Sequence, residues 1–179
     1  KQVILEVCDQ KNAKVEDVSR SQFEIIRSSL EEQTFSMWYG EYHFPQLTIR
    51  MAGKHQILNA MTAVITVLKL RDKGYDIKDH HISHGLLTAR WPGRLEIIHT
   101  NPIIILDGAH NEQGASVLRQ TISEHLANRQ IILVTGILAD KELRKIVHHF
   151  ASFASKVIVT VPDNPRAALP ARVAEIFEE

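Results

Sequence analysis

Four short apolar runs dominate the second half of this chain: Leu95–Ile98, Ile103–Leu106, "QIILVTG" at 130–136 and "KVIVTV" at 156–161. They are strand-length and rich in β-branched residues, so each is predicted to be a strand, with 130–136 fully buried. The stretches between the later runs carry helical spacing instead. A helix is predicted near Glu112–Ala127, another over Asp140–Phe153, and a last one in "PARVAEIFEE". Strands that alternate with helices of this length stack into parallel βαβ units, which predicts an α/β layer with a mainly parallel sheet.

The first half is built differently. Val3, Ile4 and Val7 suit a short helix. Residues 13–50 alternate in places and are rich in aromatic and β-branched side chains, which predicts a small antiparallel unit. Tyr39-Gly40-Glu41-Tyr42 would be its hairpin turn, and Pro45 must lie on an edge or at a strand start because it lacks an N–H. After Gly53 the period becomes helical, with Ile57, Ala60, Met61, Val64, Val67 and Leu68 on one stripe and Gly74 past its end. A second helix is predicted over Lys78–Ala89, before the break "RWPGRLE". The chain therefore divides into residues 1–90, a linker at 91–95 and a second unit at 96–179.

Lys plus Arg and Asp plus Glu each total 21, so the formal net charge is zero. A nucleic-acid surface wants a basic excess, and none is present. Cys8 is the single cysteine, which excludes an internal disulfide; within "VILEVC" it is expected to be a small buried hydrophobe in a reducing compartment. No apolar run approaches the roughly 18–20 residues of a membrane span, so no membrane partner is expected. The chain opens on Lys1 in mid-pattern with no signal peptide, and is expected to be a piece of a longer cytoplasmic polypeptide.

The run Ile103–Leu106 leads straight into Asp107-Gly108-Ala109-His110-Asn111. At the carboxyl end of a strand, before a helix, backbone N–H groups face the crevice in which open α/β sheets bind ligands. Asp107 is suited to accept from a ribose hydroxyl, a substrate ammonium or a metal-bound water, and His110 to donate to a phosphate oxygen. The plainer alternative makes Asn111 or Asp107 a helix cap and leaves His110 on the surface. Arg94 follows Pro-Gly, where a turn projects its planar, permanently charged fork toward phosphate or toward a pairing with Glu96. In "HQILNA", His55 and Asn59 share a helix face, and an amide can bond an adenine edge in both directions; alternatively His55 and Gln56 only fill the first turn. Asp140 is predicted to cap the helix after "GILA", with Lys141 free to reach the same crevice. Arg166 in "DNPRA" is either a further cation or a turn residue. His80 and His84 have a zinc-compatible spacing without a third ligand, which favours a solvated helix face. Neither G-x-x-x-x-G-K-[S/T] nor G-x-G-x-x-G occurs, so any triphosphate loop must lie outside this chain.

Taken in order, "HQILNA", "WPGRLE", "ILDGAHN" and "GILADKE" resemble the folylpolyglutamate synthase/dihydrofolate synthase family of the Mur ligases, closely over 53–142. The resemblance implies the end of a central ATPase domain followed by a Rossmann-like glutamate-ligase domain, incomplete at its C-terminus. It implies an ATP-dependent ligase of folate and one-carbon metabolism, in which a folate or dihydropteroate carboxylate is phosphorylated and then attacked by the amine of L-glutamate. Asn59 would contact adenine, Arg94 the phosphates, Asp107 the ribose and reacting centre, and His110 the phosphates or glutamate. Asn111, Asp140 and Lys141 would lie near the glutamate. The phosphate loop and the Mg2+ ligands would lie upstream of Lys1, so the chain alone is expected to be inactive, and the full-length protein is expected to be a monomer. A cell-wall Mur ligase and a non-catalytic nucleotide-binding module are the competing readings.

Overall fold

The computed structural model describes residues 2–179. Helix α1, Gln2–Gln10, buries none of its residues, so Cys8 is only partly covered and not buried as expected, and a 3-10 turn at Val18–Arg20 leads into the first sheet. Strands β1 (Gln22–Ser28), β2 (Gln33–Tyr39) and β3 (Tyr42–Ile49) form an antiparallel sheet in that order. Tyr39 pairs with Tyr42 across a two-residue turn in which Gly40 has φ 57°, the left-handed geometry that such hairpins require. Pro45 lies on the edge strand β3, where the register shifts, so its missing N–H breaks no inner ladder.

Helix α2, Lys54–Asp72, lays the predicted stripe on this sheet, with Ile57, Ala60, Met61, Val64 and Leu68 buried and Ile65 added. These side chains join Phe35, Met37, Phe44, Leu47, Ile49 and Ile82 in a first hydrophobic core, the large ones each contributing about 1.5–3 kcal/mol of burial. Helix α3, Asp79–Thr88, closes it through Ile82. Buried Gln33 ties the approach to α2: its Nε2 donates to the Met51 carbonyl at 2.7 Å and the Gly53 carbonyl at 3.0 Å.

Beyond the break, β4 (Glu96–Thr100), β5 (Ile103–Leu106), α4 (Glu112–Leu126), β6 (Ile132–Thr135), α5 (Leu143–Ala151), β7 (Lys156–Val159) and α6 (Pro170–Glu178) give the expected α/β order. The parallel pairing is carried by β6 and β7, joined through α5, whereas β4 and β5 run antiparallel. Only Asn101 and Pro102 separate β4 from β5, and a parallel crossover needs a dozen or more residues. A second core gathers Leu95, Ala115, Leu118, Ile122, Ile146, Val147, Phe150 and Val173, and takes in Ala52 and Leu30 from the first half.

Two sequence expectations need correction. The run 130–136 is covered on one face only: Leu133 packs on the core, while Ile132 and Val134 are each 62% exposed. Helices α4, α5 and α6 all contribute to the one core, so among the described residues the other face stays bare. Helix α5 begins at Leu143 rather than Asp140, because the loops after β6 and β7 hold each other. The Ala139 N–H donates to the Arg166 carbonyl and the Ala168 N–H to the Ile137 carbonyl. A Cβ on Gly136 would meet Pro162 at 2.7 Å, which explains the glycine at this approach.

Candidate functional site

Two loops are laced together where the second unit begins. Asp107, at the end of β5, accepts from the Leu95 N–H through Oδ2 at 3.0 Å and from the Ala109 N–H through Oδ1 at 2.8 Å. The Gly108 N–H donates to the Gly93 carbonyl, and the Gly93 N–H donates to Glu96 Oε2, both at 2.8 Å. Leu95 has φ 48°, a left-handed conformation that costs a non-glycine residue on the order of 1 kcal/mol or more. Its buried side chain and its bond to Asp107 offset that strain.

Arg94 therefore stands between a glycine and a strained leucine, with an exposed side chain. Glu96 accepts from the Gly93 backbone, and among the described residues no ion pair holds the Arg94 guanidinium. His110 is exposed, and its Nδ1 lies 2.8 Å from the Gly108 carbonyl. A carbonyl only accepts, so Nδ1 carries the hydrogen and Nε2 is left for a ligand. Asn111 caps α4, its Oδ1 accepting from the Gly114 N–H at 2.7 Å, as the plainer reading of that residue expects. Asp107 does not cap the helix but bridges the loops.

Residues of the first half reach the same place. Gly53 precedes α2 with φ 91°, and the His55 ring folds back over it. A Cβ at Gly53 would lie 2.7 Å from two His55 ring atoms and 2.9 Å from the Thr121 hydroxyl of α4. His55 is half-buried, and burial holds its imidazole below the usual range; Asp107 pushes the other way and Arg94 adds to the lowering. Asn59 is exposed one turn further along α2, donating to buried Gln56 Oε1 at 3.1 Å. Asp140 and Lys141 are placed otherwise: the Asp140 carboxylate meets Arg166 at 3.1 Å and Lys141 Nζ at 3.6 Å. The structure thus gathers Arg94, Asp107 and His110, adds His55, and sets Asp140, Lys141 and Arg166 in a separate loop pair.

Sequence reasoning passed over Gly53 as a contact and left His55 open. The signal for both was faint: a glycine two residues before a histidine at a helix start. Nothing in the local pattern shows that α4 passes within reach.

Residues 93–179 match the family model described as Mur ligase, glutamate ligase domain, so the second unit is a domain of that class. The dihydrofolate synthase/folylpolyglutamate synthase of Bacillus subtilis is 32% identical over 76% of this chain and 32% of its own length. The folylpolyglutamate synthase structure from Thermotoga maritima superposes with a TM-score of 0.81 at 30% identity, covering 99% of this chain and 42% of that one. The Mycobacterium tuberculosis enzyme complexed with ADP gives 0.86 at 27% identity, covering 98% and 39%. The chain belongs to the folylpolyglutamate synthase/dihydrofolate synthase family. It spans about a third of the length of the curated relatives it matches.

Proposed function

We propose that this chain forms the nucleotide- and glutamate-facing part of an ATP-dependent ligase that adds L-glutamate to a folate, and to dihydropteroate as a second acceptor. The observation that carries this reading is the unpaired Arg94 fork beside the laced Asp107 loop, in a chain whose Mycobacterium tuberculosis relative is described in complex with ADP. The reaction transfers the terminal phosphoryl group of ATP to the acceptor carboxylate; the glutamate amine then attacks the acyl carbon, forming the amide and expelling phosphate. Its catalysis rests on positioning and on cations set against spreading negative charge. Arg94 answers the phosphates bidentately. Each Asp107 oxygen keeps a lone pair beyond its backbone bond, enough to accept a ribose hydroxyl. His110 lies toward the phosphates or the glutamate; with its Nδ1 hydrogen on the Gly108 carbonyl, its Nε2 lone pair is suited to accept from the glutamate ammonium, and Asn59 offers its amide to adenine. Asn111, Asp140 and Lys141 border the glutamate side.

Residues 1–90 are assigned to the ATPase side, 91–95 to the hinge and 96–179 to the ligase domain; closure of the two excludes water from the acyl phosphate. Among the described residues no three His, Cys, Asp or Glu side chains gather to hold a metal. Likewise, none of its described helices is long and apolar enough to cross a membrane.

Titration calorimetry of the chain with ADP tests the reading. Binding is expected, and Arg94→Ala is expected to weaken it about 10–100-fold, the equivalent of one charge-assisted contact of roughly 1.5–3 kcal/mol. Equal affinity in the variant would remove Arg94 from the phosphate role. In an ATP- and folate-dependent assay the chain alone is expected to incorporate no radiolabelled glutamate above background, and turnover would show that the missing phosphate loop is dispensable.

A further inference from the structure

Gln33 is a polar side chain set into the interior of the first unit. It stands on β2, the central strand of the first sheet, opposite Ser28 on β1 and Ile49 on β3, and is 1% exposed. Burying an amide costs stability unless its hydrogen bonds are made. Here they are made to the backbone just ahead of α2. Nε2 donates to the Met51 carbonyl at 2.7 Å and to the Gly53 carbonyl at 3.0 Å, which uses both of its hydrogens. Carbonyls only accept, so the amide has one orientation, with Oε1 accepting from the Ser28 hydroxyl at 3.4 Å.

The Gly53 carbonyl carries the contact onward. It also accepts from the Gln56 N–H at 2.9 Å, at the first turn of α2. Gln56 is buried too, and its Oε1 accepts from Asn59 Nδ2 at 3.1 Å. Asn59 is exposed and keeps one N–H and its Oδ1 for a ligand, an adjacent donor and acceptor that suit an adenine edge. Each link from β2 to that amide is thus 3.1 Å or shorter. Arg94 stands outside this run of bonds, in a loop held by Asp107 and Glu96.

We propose that Gln33 is a positioning residue for the nucleotide base: it fixes the turn ahead of α2 and, through Gly53 and Gln56, aims the Asn59 amide. The proposal rests on the nucleotide reading above and adds a division to it, with the base placed from the first sheet and the phosphates from the break. The physical reason lies in the turn itself. Met51 to Gly53 belong to neither β3 nor α2, and Gly53 has φ 91°. Without the Gln33 amide, the Met51 and Gly53 carbonyls lose the donor that ties them to β2. The turn then shifts toward water, and the first turn of α2 moves with it.

Calorimetry with ADP and with inorganic pyrophosphate tests this, because pyrophosphate offers phosphates without a base. Gln33→Leu keeps much of the volume and removes the donor. It is expected to weaken ADP about 5–10-fold, the equivalent of one neutral hydrogen bond, and to leave pyrophosphate within about twofold. Asn59→Ala should show the same pattern. The double variant should lose no more ADP affinity than Asn59→Ala alone, since both changes act through one contact. Ser28→Ala is the control: Ser28 is exposed, so water replaces its hydroxyl at Oε1, and ADP should bind as in the parent. If Gln33→Leu does not fold, the parent chain decides. ADP should shift the Gln33 side-chain amide resonance and slow its hydrogen exchange, and pyrophosphate should do neither. Equal weakening of both ligands, additive losses in the double variant, or an amide that responds alike to both ligands overturns the positioning role alone. No ADP binding by the parent overturns the nucleotide reading, and this proposal with it.

Discussion

Gly53→Ala is expected to destabilise the chain by about 2–6 kcal/mol. Two independent costs add. Gly53 has φ 91° and ψ 136°, a conformation that L side chains rarely adopt, at about 1–3 kcal/mol. The new Cβ would then sit 2.7 Å from the His55 ring and 2.9 Å from Thr121 Oγ1. Relief must come from the half-buried ring or from the buried α4 helix, and overpacking of this kind costs about 1–3 kcal/mol. At roughly 2–4 °C per kcal/mol for a chain of this size, thermal unfolding should shift down by roughly 5–15 °C. Gly40→Ala is the control. Gly40 also has a positive φ, 57°, but a Cβ there meets nothing within 4 Å. It should cost only the conformational share, about 1–2 kcal/mol. Equal losses in the two variants would mean that the contact of α2 with α4 carries no strain.

The second large effect is expected from Asp107→Ala. The carboxylate accepts two backbone N–H groups in different loops, and hydrogen bonds to a charged acceptor contribute about 1.5–3 kcal/mol each. Both donors are only partly buried, so water recovers some of this, and a loss of about 2–4 kcal/mol is expected in urea unfolding. The functional loss should be larger than the stability loss. Without Asp107 only the buried Leu95 side chain and the Gly93 backbone bonds hold the turn at φ 48°, and Arg94, one residue earlier, projects less rigidly. ADP affinity should therefore fall at least as far as in Arg94→Ala. Asp107→Asn separates the two roles: its single carbonyl oxygen replaces one acceptor, but the amide NH2 faces the other backbone donor. About half the stability should return, without full affinity. An Asp107→Ala protein as stable as the parent would show that the loops hold without the carboxylate.

Much of the fold was legible because it rests on local rules. The stripe on α2, the Tyr39–Tyr42 turn, Gly74 past the helix end and the strand-length apolar runs each follow from spacing and residue type within one element. The departures arose where two segments meet. Asp140 has the composition of a helix cap, yet Arg166 draws it into a loop pair, and nothing near Asp140 announces a partner 26 residues away. Ile132 and Val134 read as buried because strand periodicity counts apolar residues and cannot count the helices on each face.

The site divides along the same line. Asp107, His110 and Arg94 were identifiable as chemistry-bearing residues at a strand end and after a Pro-Gly break, because those positions expose side chains by backbone geometry alone. Their lacing was not identifiable, since it depends on which of several acceptors meets the Leu95 and Gly108 N–H groups. The sequence by itself determined the order of elements, the residue types at the site and the family they resemble, because these are properties of neighbours along the chain. Only the tertiary structure decided that β4 returns antiparallel to β5, that one carboxylate clamps two loops, and that the His55 ring and Thr121 of α4 close on Gly53. Those are distances between segments far apart in sequence, set by how Ala52 and Leu30 of the first half pack into the core of the second.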